Sequence, residues 1–318
     1  MRDAPQVGAL HGRVAIITGA GGGIGRAHAL RFAAEGARLV VNDVGGSVAG
    51  EGSDPAAADT VVAEIRSAGG EAVASHHDVS DWDAARTMVD LAVDTYGDLD
   101  VLINNAGILR DRPVWDLDES DCDDVVRVDL KGHIAPTRWA AAYWKARAER
   151  EGPRDASIVH TSSHSGLLGI LGQSNYGAAK AGVATFGLVV AEELAPFAVR
   201  SNVVIPASRT RMAGAFRAYD PDRPPPRTLN PVTDPDAFDE WGPGNSSPLV
   251  AYLASAGCPL SGQVLLAGRG IVARMNGWAN GPSVRRDRDW TVAELACEVP
   301  ELFGDEPFVR PPAASPFG

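Results

Sequence analysis

The sequence predicts an α/β protein built on one doubly wound parallel sheet. Three observations point there. Short runs rich in Val, Ile and Leu alternate with longer segments of helical period from residue 12 to about 205. A glycine cluster joins the first run to the first helical segment, and 45% hydrophobic against 22% charged residues in a chain of 318 leaves ample material for a core.

Taken in order, the first strand is the apolar run 14–18, followed after the glycines by a helix over 25–35. Strands at 38–43, 71–77 and 99–104 then alternate with helices at 55–68 and 81–96. A long helical stretch, 119–150, contains a bend, and leads to a strand at 157–162, a helix at 174–195 and a strand at 199–205. Right-handed crossovers place these helices on both faces of the sheet. A helix around 247–255 and a buried strand at 262–267 complete the pattern. Between 207 and 247 periodicity is lost and Pro, Asp and Gly accumulate, which reads as an insertion covering a substrate. The organisation expected is one domain over 1–275 with that insertion, then a C-terminal extension, 276–318, holding a short helix at 291–297 and an extended end.

Charge and composition exclude several classes of function. With 29 basic and 41 acidic residues the net charge is −12, the wrong sign for binding nucleic acid or an anionic membrane through the overall field. No apolar run approaches the ~18 residues of a spanning helix, and the start lacks the apolar core of a signal peptide. A cytoplasmic protein acting on a small molecule is expected. Cys122, Cys258 and Cys297 are too scattered for a disulfide framework. The histidines lack metal-ligand spacing, so no metal is expected, and Ser163 lacks the Gly-x-Ser-x-Gly elbow of a hydrolase.

The segment Thr18-Gly19-Ala20-Gly21-Gly22-Gly23-Ile24-Gly25 stands between a strand and a helix. Glycines there let the backbone approach a pyrophosphate, whose charge suits the free N–H groups of a helix start. Asp43 closes the second strand 18 residues beyond Gly25, where a carboxylate reaches the adenosine ribose hydroxyls and repels a 2′-phosphate. NAD is therefore expected rather than NADP.

Tyr176 and Lys180 are an i, i+4 pair that a helix stacks on one face. An ammonium and an oxidised nicotinamide beside a phenol favour its phenolate, which suits acid–base work near neutrality. Ser163 lies 13 residues before Tyr176 at a strand end, placed to hold a substrate oxygen. His164 beside it has two readings, a pocket-lining residue or, the one preferred, a solvent-facing strand-end histidine.

With these motifs in place, residues 10–275 resemble the short-chain dehydrogenase/reductase family. The resemblance rests on Thr18-Gly19-x-x-x-Gly23-x-Gly25, Asn104-Asn105-Ala106-Gly107, Ser163 and Tyr176-x-x-x-Lys180. It implies a Rossmann-type domain in which Tyr176 is the general acid/base and Ser163 orients the carbonyl or hydroxyl. Lys180 would bind the nicotinamide ribose and lower the tyrosine pKa. Gly19, Gly23, Ile24 and Gly25 would cradle the dinucleotide with Asp43, Asp78 and Val79 would flank adenine, Asn104 and Gly107 would line the cofactor, and Pro206 would sit at its nicotinamide end. The family also implies a homo-oligomer, a tetramer or dimer.

The stretches 41–46, 104–112 and 172–180 resemble the (3R)-hydroxyacyl-CoA dehydrogenase unit of peroxisomal multifunctional enzymes. The terminal Ser315-Pro316-Phe317-Gly318 is no peroxisomal address, and a free-standing bacterial enzyme is expected. Two departures stand out. Asp129 occupies the position of an Asn that helps relay protons in many members, which puts that relay in doubt, and Ala207 follows Pro206 where a Gly is common. The function expected is NAD(H)-dependent interconversion of a secondary alcohol and a ketone, with a 3-hydroxyacyl-CoA as a candidate. The alternatives are reduction of a 3-oxoacyl thioester or a steroid-like or cyclic ketone, or NAD binding without turnover.

Overall fold

A computed structural model describes residues 8–209, 232, 237–277 and 280–304. Eight strands form one sheet in the order β3-β2-β1-β4-β5-β6-β7-β8. They are β1 (Val14–Thr18), β2 (Arg38–Asn42), β3 (Glu71–Ser75), β4 (Val101–Asn104), β5 (Ala156–Thr161), β6 (Val199–Pro206), β7 (Val264–Gly268) and β8 (Ile271–Arg274). The first seven are parallel. Every residue of β1 is buried, because helices cover both faces of a parallel sheet and leave no polar side.

Three helices, α1 (Gly23–Ala34), α2 (Ala56–Ser67) and α8 (Ser247–Ala254), cover one face, packing Phe32, Val61, Ile65 and Leu253 against Ile17 and Val41. On the other face Met88, Trp144 and Val190 meet Ile16 and Val40. These come from α3 (Trp82–Tyr96), α5 (Gly132–Glu151) and α7 (Ser174–Leu194). Trp144 fills this second core and donates its indole N–H to the Leu99 carbonyl at 2.7 Å, so the ring buries no unpaired donor. α3 begins where the Asp81 carboxylate accepts from the Ala84 N–H at 2.7 Å, and stops at Gly97, whose φ of 82° needs no Cβ.

The long helical stretch is divided. α4 (Glu119–Val125) passes into a six-residue π turn, Val126–Lys131, before α5 resumes. Two elements lie outside the sequence expectation. α6 (His164–Leu168) is a single short turn after β5. β8 pairs antiparallel with β7 through a tight turn in which Arg269 and Gly270 both take positive φ, 54° and 74°. Two-residue hairpin turns of this hand usually advertise themselves as Asn-Gly or Asp-Gly; here Arg-Gly does the same and gives no warning.

Contacts divide the chain between Met275 and Asn276. In the second unit α9 (Val292–Glu301) runs four residues past the helix expected at 291–297, opened by a capping box between Thr291 and Glu294. The expected insertion at 207–247 falls largely outside the described residues, and so does the expected extended end from residue 305 on. At the insertion's edges, Arg209 pairs with Asp239 and its N–H bonds the Trp241 carbonyl.

Candidate active site

The strand order reverses between β1 and β4, and a cleft of about 380 Å³ opens there at the C-terminal ends of the strands. Gly19, Gly23, Ile24, Gly25, Asp43, Asp78, Val79, Gly107, Ser163, Tyr176, Lys180 and Pro206 all line it. Asn104 does not: it is fully buried and its amide donates to Thr137 Oγ at 2.9 Å, while Asn105 takes the cleft-facing place. Asn105 bonds the Thr18 carbonyl at 2.9 Å and so fixes the β1 loop.

Two features test the fit of a dinucleotide. A Cβ on Gly25 would land on the Gly19 carbonyl, and Gly19 itself holds φ 62° with Ala106 against it. Gly22 precedes α1 without a side-chain cap, so the first-turn N–H groups face the cleft unclaimed by the chain's own side chains. The glycine positions fit a pyrophosphate. Asp43 accepts from the N–H groups of Gly21 and Gly45, each at 2.7 Å, which locks its carboxylate at the adenosine end. Burial pushes the Asp78 carboxyl up, but two hydrogen bonds from Ser80 and the Arg127 guanidinium outweigh it and hold the group below the usual range. Val44, Gly46, Ser47, Val48 and Gly50 also line this end, pinned by the Leu109 N–H on the Val48 carbonyl at 2.9 Å.

At the other end Ser163 caps α6, accepting from the Ser165 N–H at 3.3 Å, and hydrogen-bonds the Tyr176 phenol. Lys180, one turn beyond Tyr176, places Nζ 5.6 Å from the phenol ring centroid and donates to the Thr161 carbonyl at 3.2 Å. Ser162 Oγ bonds the Lys180 carbonyl at 2.7 Å, tying α7 to the end of β5. The residues read as a local pair are thus both held from the end of β5.

The chain's own groups raise the tyrosine pKa rather than lower it. Burial raises Tyr176 above the ordinary phenol range, the Asp129 carboxylate raises it further, and the Ser163 hydrogen bond only partly offsets them. The contribution of Asp129, second to burial, comes from an ion pair that sequence reading missed. Asp129, fully buried in the π turn, lies 3.2 Å from Lys180 Nζ and accepts from the Ile108 N–H at 2.7 Å. A second missed group joins Ser165 Oγ to Gln173 and the Gln173 amide to both Asp111 oxygens at 3.1 Å. His164, expected to face solvent, lines the cleft, and its burial lowers its pKa.

The short-chain dehydrogenase model matches residues 13–220. The chain belongs to the short-chain dehydrogenase family. Its members are oxidoreductases that use NAD(H). The chain is 39% identical over 266 residues to the peroxisomal multifunctional enzyme type 2 of Drosophila melanogaster, a match covering 83% of this chain and 40% of that relative. It is also 39% identical over 260 residues to the hydroxyacyl-CoA dehydrogenase ChsB1 of Mycobacterium tuberculosis, covering 81% of this chain and 77% of that one. A short-chain dehydrogenase crystal structure from Mycobacterium avium superposes with a TM-score of 0.82 at 44% identity, over 96% of this chain and 98% of the other. A carveol dehydrogenase from the same organism, solved with NAD, superposes with a TM-score of 0.69 at 28% identity, over 81% and 97%. Among the described residues no helix is long and apolar enough to cross a membrane.

Proposed function

We propose that this short-chain dehydrogenase interconverts a secondary alcohol and a ketone with NAD(H), its alcohol being a 3-hydroxyacyl-CoA. The observation that carries the reading is the meeting of Ser163, Tyr176 and Lys180 at one end of a cleft whose other end fits a dinucleotide. When bound, the nicotinamide supplies hydride exchange at the substrate carbon. The residues do the rest. Ser163 holds the substrate oxygen by its hydroxyl, Tyr176 gives or takes the proton on that oxygen, and Lys180 anchors the ribose side and orients the phenol. Positioning the reactants in the cleft supplies much of the rate, and proton transfer by a placed phenol about 10²–10⁴-fold more. Asp43 favours NAD over its 2′-phosphorylated form by charge.

The acyl-CoA assignment draws on the named activity of the Mycobacterium tuberculosis relative. The carveol dehydrogenase neighbour supports a cyclic alcohol as the second choice, at lower identity. The domain boundary at 275, a homo-oligomer and a cytoplasmic location belong to the same proposal, to be read by gel filtration and cell fractionation.

Nicotinamide absorbance during incubation with NAD and each enantiomer of a medium-chain 3-hydroxyacyl-CoA tests it. Turnover of the (3R) enantiomer alone is expected. Tyr176→Phe is expected to lose about 10²–10⁴-fold in turnover while still binding NADH. Full turnover in that variant would remove Tyr176 from the role.

A further inference from the structure

Lys180 does not face Tyr176 as a bare cation. Its ammonium is 97% shielded from solvent, with Asp129 Oδ2 3.2 Å away on the side leading into the protein. Asp129 reaches that place because the π turn carries it inward between α4 and α5, and its other oxygen is fixed by the Ile108 N–H. Gly107 leaves the space: a Cβ there would lie 2.9 Å from Asp129 Oδ2 and 3.4 Å from Lys180 Nζ. Behind the pair stand His133 and His160, stacked 5.8 Å apart and kept neutral by burial, so neither supplies a replacement charge.

We propose that Asp129 is a positioning residue that makes Lys180 half of an electrically neutral buried pair, so that Tyr176 keeps its proton in the free protein. This rests on the function proposed above. An Asn at 129 would leave a net positive charge beside the phenol; an Asp cancels it. The cancellation is indifferent to where the shared proton sits, since Asp⁻ with Lys⁺ and neutral Asp with neutral Lys carry the same net charge. Around Tyr176 the remaining groups do not restore it. Asp111, from the loop after β4, adds negative charge. Ser163 at the end of β5 contributes one hydrogen bond, and the Thr161 carbonyl directs its dipole at Lys180. His164, at the start of α6, has its pKa lowered by burial and is neutral near pH 7.

The consequence concerns direction. A phenol that keeps its proton is ready to donate to a carbonyl oxygen across the neutral range. To accept a proton from an alcohol it first needs a positive charge from outside the chain, which an oxidised nicotinamide carries and a reduced one does not. Asp129 thus couples the proton on Tyr176 to the redox state of the bound cofactor.

The test reads ionisation, not turnover. The tyrosinate ultraviolet band is followed in stopped-flow pH jumps on the native chain and on Tyr176→Phe, without cofactor, and the difference is the titration of residue 176. The expected midpoint lies above the ordinary phenol value of about 10. Asp129→Asn is expected to lower it by about one pH unit or more. A native midpoint below that of a free phenol overturns the proposal, as does an Asp129→Asn protein that folds, binds NADH and titrates like the native one. If Asp129→Asn does not fold, Asp129→Ser, smaller and equally uncharged, takes its place with the same two outcomes. No substrate enters these measurements, so failure to oxidise a hydroxyacyl-CoA would overturn the proposed function and leave the titration result standing.

Discussion

Asp111 holds a carboxyl that burial pushes up to about 6 from 3.8, with the Gln173 amide pulling the other way. Between those values the folded protein keeps a proton that the unfolded chain has released, so stability falls as pH rises through this window and stays reduced above it. Asp111→Asn keeps an acceptor for Gln173 and removes the charge. Its melting temperature by calorimetry is expected to exceed the native value at pH 7 and to match it near pH 4. An equal change at both would trace the effect to packing instead. The group illustrates what the sequence hides. Tyr176 and Lys180 are legible because four residues on a helix make a fixed geometry. Gln173 and Asp111 meet across 62 positions, and no local spacing announces such a contact. Asp129 was visible as a departure from the family pattern, but its partner depends on the turn that aims it, and so did the sign of its effect on Tyr176.

At the scale of elements, α1 and α8 are joined by His28 Nδ1 and Ser247 Oγ at 2.8 Å. Complete burial lowers the His28 pKa from 6.5 to about 3. The folded state therefore binds fewer protons than the unfolded chain between these values. Its contribution is fully present above pH 6.5 and is lost as pH falls toward 3, about 5 kcal/mol at most. His28→Asn is expected to make the acid limb of melting temperature against pH shallower, without abolishing it, because His160 is depressed in the same way by burial. A limb of unchanged slope would mean that His28 finds water in the folded state. The helices that carry these contacts were readable from periodicity because each covers the sheet with one apolar stripe. The π turn and the hairpin to β8 were not, since both rest on backbone geometry that Val-Arg-Val-Asp-Leu-Lys and Arg-Gly do not demand.

The molecule as a whole carries a net charge of −12. A CoA thioester is itself a polyanion, so mutual repulsion acts at long range and is screened as ionic strength rises, with the Debye length falling from about 30 Å at 0.01 M to about 8 Å at 0.15 M. The KM for a 3-hydroxyacyl-CoA is expected to drop several-fold over that range, while the same acyl group on an uncharged thiol carrier shows no change. A KM that rises with salt would point instead to a local cluster of cations receiving the CoA phosphates. The sheet's last strand also governs how the protein can be handled. β7 runs toward the cleft like the strands before it, and β8 turns back, delivering Met275 to a hydrogen bond with the Val264 carbonyl at the opposite end of the sheet. Five residues of strand, about 15 Å, separate that joint from the end where reactants enter. A reporter, purification handle or immobilisation linker grafted at Met275 would therefore begin on the far side from the traffic it must not obstruct.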